Sequence, residues 1–336
     1  MAFAKKTLKA FDAPYQIGGQ DLHIAVSMGI SIYPADGEDA ERLIRNADTA
    51  MYHAKEAGRN NCKFFEQKMN DRAVERQSIE ADLRLALKRQ EFLLHYQPKV
   101  DLATGKVVGV EALIRWQHPD RGLLLPAHFV PIAEECGLIV PIGRWVLSEA
   151  CAQAQAWHEA GLRRITMAVN SSAIEFRARD FIDNLRSTLA ATSIEPGALE
   201  LELTESVLMQ NIESTESVLY AIAGLGVKLA IDDFGTGYSS LSYLSRFPIN
   251  TLKIDQSFVK EISSSQDDST IVSAIINMGR NLRRRVIAEG VETRAQHTFL
   301  LGQHCDEGQG EYYSPALSAR DLASLLESGA LLLPPA

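Results

Sequence analysis

Cysteine is scarce in this 336-residue chain. Its four residues, Cys62, Cys136, Cys151 and Cys305, are scattered, with no CxxC pair. That argues against structural zinc and against a disulfide framework, so reduced thiols in the cytosol are expected. A basic excess is also lacking: 43 acidic residues face 34 basic ones, for a net charge of −9. A general nucleic-acid or membrane-surface binder would carry the opposite sign. An acidic chain can still take a phosphate-rich ligand where bound cations reverse the sign locally. No run of about 18 apolar residues occurs, so no membrane-spanning helix is expected. The opening MAFAKKTLKAFDAPYQ lacks the apolar stretch of a signal peptide. The eight histidines show no HExxH-type pairing, which removes a common zinc-hydrolase signature.

What is present is ordinary globular composition, 46% hydrophobic and 23% charged, which excludes a disordered polymer. The length suits one large domain of about 250 residues plus a smaller element. Near the front, residues 23–33 (HIAVSMGISIY) read as a strand, ended by Pro34 and the Asp36-Gly37 turn. Leu43, Ala47, Met51 and Ala54 share one face of a helix over 39–57, Gly58 stops it, and CKFFE is a short strand. Residues 67–90 are charged and helix-prone, and predict a linker helix.

From residue 92 the pattern changes. Strand-like runs alternate with helical stretches: FLLHYQPKVD, VVGVEALIRW, ITMAVNSS, LELELTES, KLAIDDFG, TLKIDQSF, RVIAEGVE and a last run around HCDEGQGEYY. The short ATGK turn makes the first two an antiparallel hairpin, and the others are separated by enough chain for crossover helices. Eight strands in about 240 residues predict an α/β fold, a (β/α)8 TIM-type barrel with an antiparallel first hairpin. An open doubly wound sheet is the alternative, but the glycine-rich phosphate turn expected near its start is missing.

Several of these strands end in a polar or charged residue. Glu111 follows VVGV, Asn170 follows ITMAV, Asp232 and Asp233 follow KLAI, and Glu289 follows RVIA; Glu202 lies in LELELTE and Lys253 in TLKID. A charge at the end of a buried strand is costly unless it is paired or bound to metal. In a parallel barrel all such ends open onto one face. Oxygen-only donors suit Mg²⁺ or Mn²⁺ better than zinc. The adjacent Asp232 and Asp233 could serve two cations, as two-metal sites at phosphorus do. Lys253 is suited to hold or deprotonate an attacking water, with Glu289 nearby. Any single one of these acids would read as a helix cap or a surface ion pair. Their recurrence at strand ends is what points to a metal-dependent hydrolase.

EALIRW at 111–116 resembles the motif that names the EAL domain. YQPKVD, FVPIAEECGLI, VNSS, ELTES, DDFGTGYSSLSYL, LKIDQSFV, AEGVE and the Asp306-Glu307…Gln309-Gly310 segment follow in that family's order. The resemblance implies an EAL barrel over 78–334 that hydrolyses cyclic-di-GMP to linear pGpG with two Mg²⁺ or Mn²⁺ ions and is inhibited by Ca²⁺. It implies Glu111, Asn170, Glu202, Asp232, Asp233 and Glu289 as metal ligands, with Lys253, Glu289 and Glu111 catalytic. Gln97, Arg115, Asp255 and Gln309 would contact substrate. Glu205 would support the FGTGYSS loop, which in the family links the metal site to a homodimer interface. A cytoplasmic protein without a DNA partner is implied as well. The complete ligand set favours an enzyme over a module that only binds cyclic-di-GMP, and only the resemblance separates it from a hydrolase of another phosphoester. Glu311 and Gly308 depart from the family pattern, where an aromatic or aliphatic and an apolar residue are usual, and are expected to weaken substrate binding.

The stretch SMGISIYPADGEDAERLIRNADTAMYHAKEAGRNN resembles the last third of a GGDEF, diguanylate cyclase-like, domain, which makes residues 1–66 an incomplete α+β fragment. The GG[DE]EF signature does not occur, so cyclase chemistry is not expected. Residues 23–33 would then be an unpaired edge. The remaining features have plainer readings. Arg280, Arg283, Arg284 and Arg285 read as cations at a helix C-terminus. Trp116, Trp145 and Trp157 read as packing residues, with Trp116 nearest the site, and His95 as packed in or beside the first strand.

Overall fold

Parallel neighbours need a crossover of a dozen residues or more, so the strands on either side of residues 102–106 must lie antiparallel. In the computed structural model, β5 (Phe92–Asp101) and β6 (Val107–His118) do so, with Gln97 opposite Glu111 and Phe92 opposite Trp116. The structure describes residues 2–11, 15–17, 20–22, 24–56, 58, 60–209, 212–237, 244, 246–263 and 266–332. The chain divides into two units, Met1–Asp82 and Leu83–Ala336.

In the larger unit, β8 (Thr166–Asn170), β9 (Leu199–Thr204), β10 (Lys228–Phe234), β11 (Thr251–Ile254), β12 (Arg285–Ala288) and β13 (Glu307–Gly308) follow the hairpin. The order β5-β13-β12-β11-β10-β9-β8-β6 is closed by the β5–β6 pairing. Every neighbour pair from β6 round to β13 is parallel. Only β5 runs against both of its neighbours. This is the expected (β/α)8 barrel with its antiparallel first hairpin, and the closing pair excludes an open sheet. A short strand, β7 (Gly122–Leu124), extends β6 on its outer edge.

Strand alternation divides the barrel into two environments. Leu199, Leu201 and Leu203 of β9 are buried on the helix side, while Glu200 and Glu202 point into the lumen. On β5 the outward ring of Tyr96 meets Trp157 edge-on at 4.9 Å, and Phe92 meets Phe129 at 5.8 Å. Trp116, fully buried, packs on Phe92 and donates from Nε1 to Glu91 Oε2 at 2.9 Å. The outer layer is therefore apolar and aromatic. The lumen, which in a barrel of this kind is usually filled with branched apolar side chains, is charged.

In the smaller unit, β1 (Tyr15–Ile17) and β2 (Gln20–Leu22) form an antiparallel pair. The strand expected over 23–33 is shorter, β3 (Met28–Ile30), and it is not unpaired: β4 (Cys62–Phe64) runs parallel to it, with Met28 opposite Cys62. His23, the first residue of the expected strand, lies outside the described residues. The helix Ala40–Glu56 is the crossover that brings the short CKFFE strand alongside β3. Ala50, Phe65 and Met69 form a small core there. The helix Gln67–Ala86 runs across the division between the units.

Gly29 explains how closely β3 lies on that crossover helix. A Cβ at this position would fall 1.8 Å from Ala47 O and 2.2 Å from Met51 N, backbone atoms that cannot step aside. Gly29→Ala is therefore expected to cost on the order of 1–3 kcal/mol or more in this unit. Amide exchange should show faster exchange across Ala40–Glu56, and unchanged protection of that helix would contradict the packing described.

Candidate functional site

Register brings the predicted residues to one end of the lumen. Gln97 pairs with Glu111, Asn170 with Glu202, and Asp232 with Thr204, and Glu289 follows directly on β12. At their centre stands Lys253, fully buried on β11. Its ammonium lies 2.5 Å from Glu202 Oε2, 2.6 Å from Glu289 Oε1, 3.0 Å from Asp232 Oδ1 and 3.5 Å from Glu111 Oε2. Burial alone would drive the proton off this lysine, but the four carboxylates outweigh it and hold Lys253 well above its ordinary range. It is an ammonium here.

The carboxylates respond differently to the same crowding. Against the cost of burial, Lys253 and Lys99 hold Glu111 down at about 2, helped by amide donors from Gln309 and Asn170. Burial and then Glu111 push Glu202 up to about 7, against the pull of both lysines. Burial also raises Glu289 well above the carboxylate range, and Asp232 adds to the effect against Lys253.

Asp232 and Asp233 are neighbours on one strand, and an unbroken strand would aim them at opposite faces. The β10–β11 register breaks between Ile231 and Phe234, and Asp233 takes a left-handed φ of 52°. A non-glycine residue in that region costs on the order of 1–3 kcal/mol and persists only where its surroundings enforce it. The outcome is that Asp232, Asp233 and Glu289 each bring a carboxylate oxygen to within 4.8 Å of the others, a grouping able to hold a metal ion. Burial and the neighbouring Asp232 raise Asp233 to about 6. Asp255 caps the helix Gln256–Lys260, accepting from Ser257 N at 2.9 Å, and is hydrogen-bonded to Asp233.

Amides line the β5–β6–β13 side. Gln309 Nε2 donates to Gln97 Oε1 at 2.9 Å and to Glu111 Oε2 at 2.7 Å, and Asn170 Nδ2 donates to Glu111 Oε1 at 2.5 Å. Gln309 Oε1 is buried with no hydrogen-bond partner. Arg115, half-buried, is on the same face of β6 as Glu111 and donates to Ile114 O. Glu205 is buried and accepts from Gly235 N at 3.0 Å, and a Cβ on Gly237 would come 2.7 Å from its other oxygen. The rest of that loop, Tyr238, Ser239 and Ser240, lies outside the described residues. Glu311 is exposed, which turns its charge to solvent. Gly308 is occupied space, not slack: a Cβ there would meet Leu102 Cδ2 at 2.8 Å and the Tyr313 hydroxyl at 2.9 Å.

Beneath the mouth runs a charged group that the sequence reading passed over. Lys99 Nζ lies 2.6 Å from Glu202 Oε1 and 3.3 Å from Glu200 Oε1. Glu200 Oε2 accepts from Thr251 Oγ1 at 2.7 Å and from Arg285 Nη2 at 2.6 Å, and Arg285 Nη1 reaches Glu307 at 2.9 Å. Arg285 is therefore not a helix-end cation but the first residue of β12, with its guanidinium at the barrel floor. The period-two step from Glu202 back to Glu200 was the available signal for this group.

Comparison with known proteins agrees with this geometry. Residues 80–316 match the EAL domain family, and residues 1–61 match the family described as diguanylate cyclase, GGDEF domain. The chain is 46% identical over 319 residues to MucR of Pseudomonas aeruginosa, a bifunctional diguanylate cyclase/cyclic di-GMP phosphodiesterase, covering 95% of this chain and 47% of that protein. It is 42% identical to the cyclic di-GMP phosphodiesterase NbdA of the same organism, covering 97% and 42%. The chain thus spans less than half the length of these two relatives. The solved structure of PaMucR phosphodiesterase in complex with c-di-GMP superposes with a TM-score of 0.71 at 46% identity, covering 73% of this chain and 99% of that one. The EAL domain of Mycobacterium smegmatis DcpA gives 0.61 at 36% identity, covering 72% and 97%. With a barrel of this topology, this cluster at its mouth and these matches, the chain belongs to the EAL domain family and carries a GGDEF-domain segment at its N-terminal end.

Proposed function

We propose that the barrel hydrolyses cyclic-di-GMP to linear pGpG, and that it does so with two bound Mg²⁺ or Mn²⁺ ions. The observation that carries this is the set of carboxylates gathered round Lys253 at the mouth, on a barrel 46% identical to one solved with c-di-GMP. The lumen itself fits divalent cations. Seven carboxylates (Glu111, Glu200, Glu202, Asp232, Asp233, Glu289 and Glu307) face three cations (Lys99, Lys253 and Arg285) among the described residues. With these seven ionised the excess would be four negative charges, Asp255 and Arg115 apart, which is what two divalent ions would neutralise, and buried charge needs such compensation. Glu111, Asn170, Glu202, Asp232, Asp233 and Glu289 would hold them, all through oxygen, as hard cations require. When bound, the ions would polarise the phosphodiester and stabilise charge on the attacking and leaving oxygens. Ca²⁺, with longer and looser coordination, is a poor substitute.

The chain's own side chains divide the remaining work. Lys253, kept as an ammonium, is a donor that orients the attacking water and not the group that removes its proton. Glu289 Oε1, 2.6 Å from Lys253, is placed to receive that proton. Arg115 offers a planar fork for a phosphate. Gln97 and Gln309 would contact the substrate, with Gln309 Oε1 a buried acceptor that lacks a partner. Asp255 bonds Asp233 and so borders the same substrate region. Glu205 steadies the start of the loop after Phe234 through Gly235 N. A receptor that binds without cleaving is disfavoured because no member of the set is missing. The four cysteines, all free, fit a reducing cytoplasm. Among the described residues no helix is long and apolar enough to cross a membrane.

Chromatographic separation of products after incubation with cyclic-di-GMP should show pGpG with Mg²⁺ or Mn²⁺ and none after EDTA. Full turnover in chelator would refute the metal reading. Lys253→Met, assayed at saturating metal, should lower kcat by about 10²–10³-fold, the loss typical of one transition-state donor, and by more than it raises KM. A change confined to KM would remove Lys253 from that role.

Metal binding should also release protons. Glu202 and Asp233 take up protons in the metal-free chain as pH falls through about 7 and about 6, and a cation must displace them. Release should therefore grow, and apparent affinity fall, as pH drops through about 7 and then about 6. Calorimetric Mn²⁺ titrations in buffers of different ionisation enthalpy measure this directly. A binding heat independent of buffer would contradict it.

A further inference from the structure

Glu202 is gripped from both sides. Its Oε2 faces Lys253 at 2.5 Å and its Oε1 faces Lys99 at 2.6 Å, and all three side chains are at most 1% exposed. Lys253 also touches Glu111, Asp232 and Glu289 at the mouth. Lys99 instead reaches downward to Glu200, which Thr251 and Arg285 anchor to the floor. Charges therefore alternate from floor to mouth along Arg285, Glu200, Lys99, Glu202 and Lys253. Gly109 lies opposite Lys99 in the β5–β6 register, where a Cβ would be in ordinary contact with Lys99 Cδ at 3.6 Å and tight against Thr166 O at 3.0 Å.

A carboxylate whose lower oxygen is fixed cannot rotate, and its other oxygen then has one direction. We propose that Lys99 is a positioning residue: by holding Glu202 Oε1 from below, it presents Oε2 to the cation site at the mouth. This rests on the reading of Glu202 as a metal-facing donor. Lys99 itself, buried beneath Glu202, has no access to substrate. Partners that orient a ligand from behind typically set metal affinity by about 10–100-fold.

The test is Mn²⁺ affinity by electron paramagnetic resonance on the full 336-residue chain, with thermal unfolding followed in parallel. Lys99→Met should bind Mn²⁺ about 10–100-fold more weakly. The double variant Lys99→Met with Glu200→Gln removes one charge of each sign, so the interior keeps its balance, and it should show the same loss. Arg285→Met, which cuts the network below Lys99, should lower the melting temperature and leave Mn²⁺ affinity unchanged. Folded Lys99 variants with wild-type affinity would overturn the proposal. So would an equal affinity loss in Arg285→Met, or failure of both Lys99 variants to fold, since either marks the network as structural only. A wild-type chain that binds no Mn²⁺ would instead refute the metal site itself.

Discussion

Four carboxylates cannot share the mouth of a barrel at this spacing unless a positive charge stands among them, and here it is the ammonium of Lys253. Remove that charge in thought and each acid must take up a proton or move apart. Leaving one buried ion without its partner costs about 3–5 kcal/mol even after relaxation. The geometry of Glu111, Glu202, Asp232 and Glu289 is thus a consequence of one buried cation as much as of the strands that carry them. The amides of Asn170, Gln97 and Gln309 complete the arrangement by donating to Glu111 and to one another.

That arrangement is overloaded with negative charge, and the overload is its chemistry. The raised Glu202, Asp233 and Glu289 and the lowered Glu111 are what a site looks like when its own cations do not balance it. Local strain serves the same end. Asp233 adopts an unfavourable backbone conformation, and the strand register slips beside it, so that two consecutive acids reach one side. Glu205 ties the start of the following loop back to the barrel through Gly235 N.

Much of this is legible in the sequence. The antiparallel hairpin followed from a turn too short to cross a barrel, and the parallel remainder from the length of the intervening segments. Glu111, Asn170, Asp232 and Glu289 could be picked out because a polar residue ending an apolar strand has few cheap explanations. Lys99 and Glu200 were not, because a charge inside a strand flanked by apolar residues reads as a solvent-facing position until the lumen is known to be charged. Arg285 was misread for a related reason: three arginines before it belong to the end of one helix and the turn after it, and nothing local separates it from them. The incomplete GGDEF-like fragment implies an unpaired edge over 23–33, but a partner for Met28–Ile30 is supplied from within the fragment by Cys62–Phe64, beyond the helix Ala40–Glu56.

The sequence by itself determined the element order, the family and which residue types would meet at the strand ends, since these depend on periodicity, connection length and composition. Tertiary structure alone decided how the charges pair. Whether Asp233 faces the same way as Asp232 depends on a register slip against a strand some 20 residues on, and whether Lys99 serves Glu202 depends on two strands meeting across the lumen. Electrostatic energy falls with distance through space, not along the chain, so only barrel closure could tell which acid each lysine would hold.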